Sequence, residues 1–402
     1  MKRNEKKNMM FLATGRIFST IGDSIYQLAV IWYVFYLTNN TIYTGIAVTC
    51  VAIPQVLNFL FGPIIEKYNK KHLLANTQLF QFILMAIIPL SIYLGYENVY
   101  LVLLIVFLLS FLENFQGTAE MSIVPKIISK NKVGGYNSKI NTVQQIIGLL
   151  ASAVFSLMIL YVTIQNIYIF NAITFLIAFA FFKMITYYEE QRKNPGVTEE
   201  VTYTQNLNEG WKYFKVSKLL AITLPLSIAN AILSGVNAVL PLYAMDLGSA
   251  SYFGLMMFAI SIGLTIGASI STVFLKFKFG IVMSGLAFFM FIFWTASIII
   301  GIPYITLILL AISLIPLGIM NILLITYTQV TTEDYIISRV LSISDSLLFA
   351  AIPIGALLGG VIGELLSAKF VMLFSGTAFL VIALLYISNK NLRNIPSIKD
   401  FS

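Results

Sequence analysis

Long apolar runs, each about 20 residues or more, follow one another along the whole chain, and the short breaks between them hold nearly all the lysine and arginine. As a helix, a run of that length matches the roughly 30 Å hydrocarbon thickness of a bilayer. The runs do not alternate with period two, so they predict helices and not the strands of a barrel. Twelve spans are expected, at roughly 10–37, 42–65, 73–95, 98–122, 139–162, 166–187, 219–245, 252–275, 280–300, 303–328, 340–363 and 369–388. Most connections are very short. Asn39-Asn40, Tyr96-Glu97 and Gln165-Asn166 read as tight turns.

Composition agrees with this pattern. Of 402 residues, 58% are hydrophobic and 10% charged, against about 25% charged in soluble domains. So few charges cannot cover a soluble globule, so the outside must face lipid. Backbone polar groups in lipid must be satisfied within each segment, which helices achieve. The net charge of +8 reads as loop charge that orients the protein, not as a nucleic-acid footprint. The single cysteine, Cys50, allows no internal disulfide. The basic start Met1–Met9 leads into a run too long for a signal-peptide h-region, with no small-residue cleavage site.

Sorting the cations gives a topology. They cluster at the N-terminus (Lys2, Arg3, Lys6, Lys7), after span 2 (Lys67, Lys70, Lys71), after span 4 (Lys126, Lys130, Lys132) and in the central loop (Arg192, Lys193, Lys212, Lys215). They recur after span 8 (Lys276, Lys278), after span 10 (Arg339) and in the tail (Lys390, Arg393, Lys399). The alternate connections carry one clear cation, Lys369. By the positive-inside rule both termini and the central loop are expected in the cytoplasm. The expected organisation is a six-helix bundle over 1–188, a cytoplasmic linker over 189–218, a second six-helix bundle over 219–388 and a cytoplasmic tail over 389–402. Within the linker, Leu207, Trp211 and Phe214 fall at i, i+4, i+7 with lysines elsewhere on the wheel, as in a helix lying on a membrane surface. Two six-span halves suggest an internal duplication.

Gly62-Pro-Ile-Ile-Glu66-Lys67-Tyr-Asn-Lys70-Lys71, between spans 2 and 3, resembles the signature loop of the major facilitator superfamily: a glycine, an acid a few residues on, then a basic cluster. Here the acid is Glu and every basic residue is Lys. Gly22-Asp23, Val124-Pro125-Lys126 with Asn137, and Gly210-Trp211 with Tyr213-Phe214 extend the resemblance toward the macrolide-efflux and siderophore-exporter branch. The antiporter signature of span 5 is replaced by Gly148-Leu-Leu-Ala151-Ser152 running to Ser156, with no proline. Span 4 lacks the Arg that many proton-coupled exporters carry. The resemblance implies an all-α membrane protein of two six-helix bundles around a central cavity. It further implies a loop Gly62, Glu66, Lys67, Lys70 and Lys71 that packs near the start of span 11, beside Asp345.

Hydrolytic, nucleotide and metal motifs are missing from the sequence, and one His72 with one Cys50 cannot build a zinc site. An enzyme and a cofactor are therefore not expected. Charges inside spans carry the sharper signal, since each costs roughly 2.5–3.5 kcal/mol at a helix centre on insertion scales. Span 1 holds Arg16 and Asp23, and span 4 holds Glu113 and Glu120, each pair one heptad apart. A lone carboxylate in a low-dielectric cavity resists ionising, which suits a proton carrier. Asp345 reads equally as a helix-start residue, and Glu120 as a gate partner. Tyr26 and Gln27 near Asp23, Asn230 and Asn237 in span 7, and Asn321 in span 10 suit a cavity for an amphipathic ligand, or equally helix–helix glue.

The expected function is secondary active transport, with proton-driven efflux of a small amphipathic organic compound (a macrolide-like antibiotic, a siderophore or a peptide antibiotic) by a monomer in a bacterial plasma membrane. Uptake by the same fold, or a non-transporting scaffold or sensor, are the alternatives. A scaffold would be expected to carry a large soluble domain and no buried acids.

Overall fold

The computed structural model describes residues 2–57, 65, 68–186, 211–215, 217, 219–333 and 337–401. The described residues are helical almost throughout, with one isolated antiparallel bridge, Lys278 to Ser397. The helices in chain order are α1 Lys2–Thr38, α2 Thr41–Val56, α3 Lys70–Tyr93, α4 Val99–Ile127, α5 Lys130–Tyr161 and α6 Ile164–Lys183. They continue as α7 Leu219–Asp246, α8 Ser251–Ile270, α9 Phe279–Ile300, α10 Pro303–Thr331, α11 Ile337–Ala350, α12 Ile352–Leu365, α13 Ala368–Ser388 and the short α14 Lys390–Arg393. Among the described residues eleven helical segments are long and apolar enough to cross a membrane, and Thr41–Val56 is a shorter apolar helix. Large apolar side chains such as Leu157, Phe170, Ile308 and Leu384 stand exposed on the helices. That is the pattern of a surface solvated by lipid and not by water.

The chain divides into two compact units. Unit 1 comprises residues 1–191 with 248–258, and unit 2 comprises 192–247 with 259–402. In unit 1, asparagines make the turns. Asn39 adopts φ 48°, a conformation its short polar side chain tolerates, and the Asn40 side chain caps α2 by accepting from Ile42 N at 2.8 Å. Asn69 and Asn98 cap α3 and α4 in the same way. Helix α5 lacks a side-chain cap of its own, and Glu5 of α1 supplies one. Its Oε1 accepts from Ser129 N (3.0 Å), Ser129 Oγ (2.7 Å) and Lys132 Nζ (3.1 Å). Asn8 exchanges two hydrogen bonds with the backbone of Thr186, both 2.9 Å, tying α1 to the end of α6. Further along, a side chain at Gly22 would collide with Thr174 and Phe175, so glycine is what lets α1 lie against α6 here.

Unit 2 packs through small residues. Gly355 and Gly359 of α12 abut Ala231 and Gly235 of α7 backbone to backbone, while Gly263 and Gly267 of α8 abut Ala311 and Ile315 of α10. After α13 the chain turns under the unit. Leu392, Ile395 and Ile398 are buried, and Phe279 N donates to Pro396 O at 3.3 Å.

Two expectations change. The turn expected at Gln165-Asn166 lies at Val162 and Thr163, which are extended, and both Gln165 and Asn166 belong to the first turn of α6. Span 11 is not one helix but α11 and α12, interrupted at Ala351 just before Pro353, whose ring cannot donate into the helical ladder. The end of span 2 and most of the loop after it, including Gly62, Glu66 and Lys67, lie outside the described residues, as do Leu207 and most of the linker.

Candidate functional site

The first helix sets the pattern. Arg16, Ser19, Thr20, Asp23, Tyr26 and Gln27 recur at steps of three or four residues, so they form one polar stripe along a helix that is otherwise apolar. The stripe meets Ser110, Glu113, Gln116 and Glu120 of α4, Gln78 and Gln81 of α3, and Gln144 of α5. Three linked clusters result, all in unit 1.

The first cluster is ionic. Arg16 Nε lies 3.3 Å from Glu120 Oε2. The Gln144 amide oxygen, in the orientation that satisfies both groups, accepts from Arg16 Nε at 2.6 Å and Nη2 at 2.8 Å. Glu120 is 7% exposed, so the guanidinium is its counter-charge in a place water hardly reaches. Sequence spacing puts Arg16 and Asp23 on one face of the first helix, and the fold directs Arg16 from that face across to Glu120 of α4.

The second cluster surrounds Asp23, which is 6% exposed. Ser19 Oγ donates to Asp23 Oδ2 at 3.2 Å and Gln81 Nε2 to Oδ1 at 3.5 Å. Behind them Gln78 bonds Ser19, Gln81 and Gln116, and Gln116 bonds Ser19. The third cluster surrounds Glu113. Tyr26 Oη donates to Glu113 Oε2 at 3.0 Å, which leaves Ser110 to donate to Tyr26 at 2.9 Å. Gln27 Nε2 lies 3.3 Å from both Glu113 oxygens.

The structure therefore joins Arg16, Asp23, Tyr26, Gln27, Glu113 and Glu120 in one column, in which Asp23, Tyr26 and Glu120 are buried and Arg16, Gln27 and Glu113 partly so. It holds three carboxyls and one guanidinium, and the donors to Asp23 and Glu113 are all neutral. Sequence reasoning misses Ser19, Gln78, Gln81, Gln116 and Gln144. The available signal is that each is a polar residue inside an apolar span, and that Gln78 and Gln81 share a face at i, i+3.

Unit 2 holds a different feature, a cleft enclosing about 440 Å³ including its open mouth. Asn230 and Asn321 are its polar lining, among Leu226, Met290, Met320 and Phe379. Asn230 Nδ2 also donates to Leu348 O at 3.4 Å. Asn237 lies two turns further along α7 and does not line the cleft. Lys70 and Lys71 begin α3, with Lys70 buried and Lys71 partly so, behind the Asn69 cap. Asp345 lies on α11, and its side chain falls outside the described residues. Among the described residues no group of His, Cys, Asp and Glu could hold a metal ion.

Comparison with known proteins matches the chain, over residues 12–344, to the Major Facilitator Superfamily. It is 21% identical over 218 residues to the uncharacterized MFS-type transporter YvqJ of Bacillus subtilis (strain 168), a match taking in 54% of this chain and 52% of that one. The chain thus spans about half the length of that relative. Among solved structures it resembles a variant of the nucleoside transporter NupG, with a TM-score of 0.73 at 14% identity over 95% of this chain and 99% of the other. A bacterial homologue of the iron transporter ferroportin, in an inward-facing state, gives a TM-score of 0.71 at 14% identity over 96% and 98%. At such identities the likeness concerns the fold.

Proposed function

This chain belongs to the major facilitator superfamily, a family of membrane transporters, and on that premise we propose that it is a proton-coupled exporter of small amphipathic organic compounds. The observation that carries the reading is the charge count in unit 1. Three carboxyls, those of Asp23 and Glu120 buried and that of Glu113 partly so, share one guanidinium, and Arg16 is committed to Glu120. That leaves Asp23 and Glu113, held by hydroxyls and amides, to exchange a proton as the cavity opens to one side and then the other. Membrane voltage supplies about 2.3 kcal/mol per charge per 100 mV. One proton per cycle thus supports a roughly fifty-fold gradient of a neutral compound at about 1.4 kcal/mol per tenfold. The cleft of unit 2, apolar with two carboxamides, supports a ligand with a large apolar body and a few polar groups. Efflux is the direction implied by the resemblance to the macrolide and siderophore exporters.

The test compares wild type with the double variant Asp23→Asn, Glu113→Gln in energised cells, with and without a protonophore, using a panel of macrolides and siderophores. The double variant is expected to lose uphill efflux while keeping downhill exchange and binding to purified protein. Full uphill efflux in that variant would show that coupling lies elsewhere. Higher accumulation in expressing cells than in control cells would make the protein an importer of the same class.

The loop cations support an orientation with both termini and the central loop in the cytoplasm of a bacterial cell. Single cysteines at Asn39 or Asn40, in a Cys50→Ala background, are expected to react with an impermeant maleimide in intact cells, and cysteines at 198–205 only after permeabilisation. The reverse pattern rules the orientation out.

A further inference from the structure

The amides beside Asp23 form a network whose donors and acceptors can be counted. Ser19 Oγ accepts from Gln78 Nε2 at 3.2 Å and from Gln116 Nε2 at 3.1 Å, and donates to Asp23 Oδ2 at 3.2 Å. A hydroxyl has one proton and two lone pairs, and with amide nitrogens on its other two sides Ser19 has its proton directed at Asp23. Gln81 behaves alike on the other oxygen. Its Oε1 accepts from Gln78 Nε2 at 2.5 Å, which turns its own Nε2 toward Asp23 Oδ1 at 3.5 Å. Both donors on Asp23 are therefore set by Gln78, which does not itself touch the carboxyl.

Gln78 also carries the imbalance of the network. Its Nε2 faces three acceptors, on Ser19, Gln81 and Gln116, with two protons to give. Its Oε1 is buried without a hydrogen-bond partner. Ser19, Gln78, Gln81 and Gln116 are all at 0% exposure, so bulk water does not level the account.

A second arrangement fits the same heavy atoms, because an amide turned by half a turn exchanges its oxygen and nitrogen. With all three amides turned, Gln78 Oε1 accepts from Gln81 and Gln116, two donors for two lone pairs, while Gln78 Nε2 takes the place without a partner and Gln81 Oε1 faces Asp23 Oδ1. Ser19 then donates to Gln116 Oε1, and its free lone pair faces Asp23 Oδ2. Only a protonated Asp23 can donate to that lone pair. The arrangement seen places a donor on each oxygen of an ionised Asp23; the turned one places an acceptor opposite each, which the neutral acid answers with its single proton.

We propose that Gln78 is a positioning residue: with Ser19, Gln81 and Gln116 it forms a relay whose donor-to-acceptor direction reverses with the charge on Asp23. The proposal rests on the reading of Asp23 as an acid that exchanges a proton. Among the described residues the charged and titratable groups facing this stretch of α1 are Arg16 and Tyr26 on α1 itself, Glu113 and Glu120 on α4, and Tyr136 on α5 beside Arg16 and Glu120. Helix α3 presents amides alone there, and α6 presents Asn171 and Thr174 beside Gly22. The relay is thus the neutral part of the surroundings that can respond to Asp23 without moving a charge.

The test is infrared difference spectroscopy of the full chain in phosphatidylethanolamine–phosphatidylglycerol vesicles across a pH titration, with isotope-labelled glutamine to assign side-chain carbonyl bands. A protonated-carboxyl band that is lost in Asp23→Asn is expected to titrate together with glutamine bands. In Gln78→Met the donors no longer favour the ionised form, so the midpoint is expected to move toward alkaline pH by about one unit, a tenfold change in proton affinity. The glutamine bands should then stop following the carboxyl. Gln116→Met, which keeps both direct donors, should move the midpoint the same way by less. Wild-type midpoints in both variants, or glutamine bands constant through the titration, overturn the relay while leaving Asp23 as the acid. A carboxyl band that survives in Asp23→Asn overturns the acid and the relay together.

Discussion

The stripe of α1 in unit 1 and the stripe of α7 in unit 2 are both polar faces on apolar helices, yet they bond to different things. In unit 1 the side chains bond to one another across α1, α3 and α4. In unit 2, Ser227 Oγ donates to Leu347 O at 2.5 Å, Asn230 Nδ2 to Leu348 O at 3.4 Å, and Ser234 Oγ to Ile352 O at 2.8 Å. Those carbonyls flank the interruption between α11 and α12, where a proline and a turn disrupt the helical ladder. Serine and asparagine of α7 thus bond to the backbone on either side of that interruption. One stripe therefore assembles charge, while the other bonds to backbone. A polar residue in a membrane span is informative only once its partner is known.

The strongest way to break this contrast is to remove the cation. Arg16→Met leaves Glu120 buried without its counter-charge and is expected to cost about 3–5 kcal/mol of stability. A fall in the thermal unfolding midpoint of the purified protein reads this out, and Glu120→Gln in the same chain should recover most of it. A variant as stable as wild type would mean that the ionic cluster is not a structural tie. The smaller effect is at the interruption. Ser234→Ala removes one hydrogen bond to Ile352 O and is expected to cost about 0.6 kcal/mol, the average for polar contacts between membrane helices. Its transport activity should stay at the wild-type level, since Ser234 belongs to neither the column nor the lining of the cleft. A loss of several kcal/mol there would show that α12 depends on α7 for its existence.

The fold is legible in the sequence because hydrophobic length and loop charge act over whole segments. Asp23, Glu113 and Glu120 are legible for a related reason: a charge within an apolar span is costly enough to need an explanation. Gln78, Gln81 and Gln116 are not, because an uncharged amide in a span is tolerated for many reasons and its partner lies on a different helix. The interruption of span 11 is hidden as well. Pro54, Pro89, Pro225, Pro241 and Pro316 all sit inside continuous helices. Pro353 alone in this set coincides with a break, so proline by itself does not reveal one. The partner of Arg16 could not be read either, since spacing along one helix says nothing about the helix opposite.

The polar column also has a consequence for how the protein is made. Helix α1 precedes α3 and α4 in the chain, so Arg16 and Asp23 reach the membrane before Glu120, Gln81 or Gln116 exist. At roughly 2.5–3.5 kcal/mol for each charge at a helix centre, the nascent first helix is a reluctant guest in lipid. It must be retained beside the insertion machinery, or tilt its polar stripe toward water, until α4 arrives to receive it.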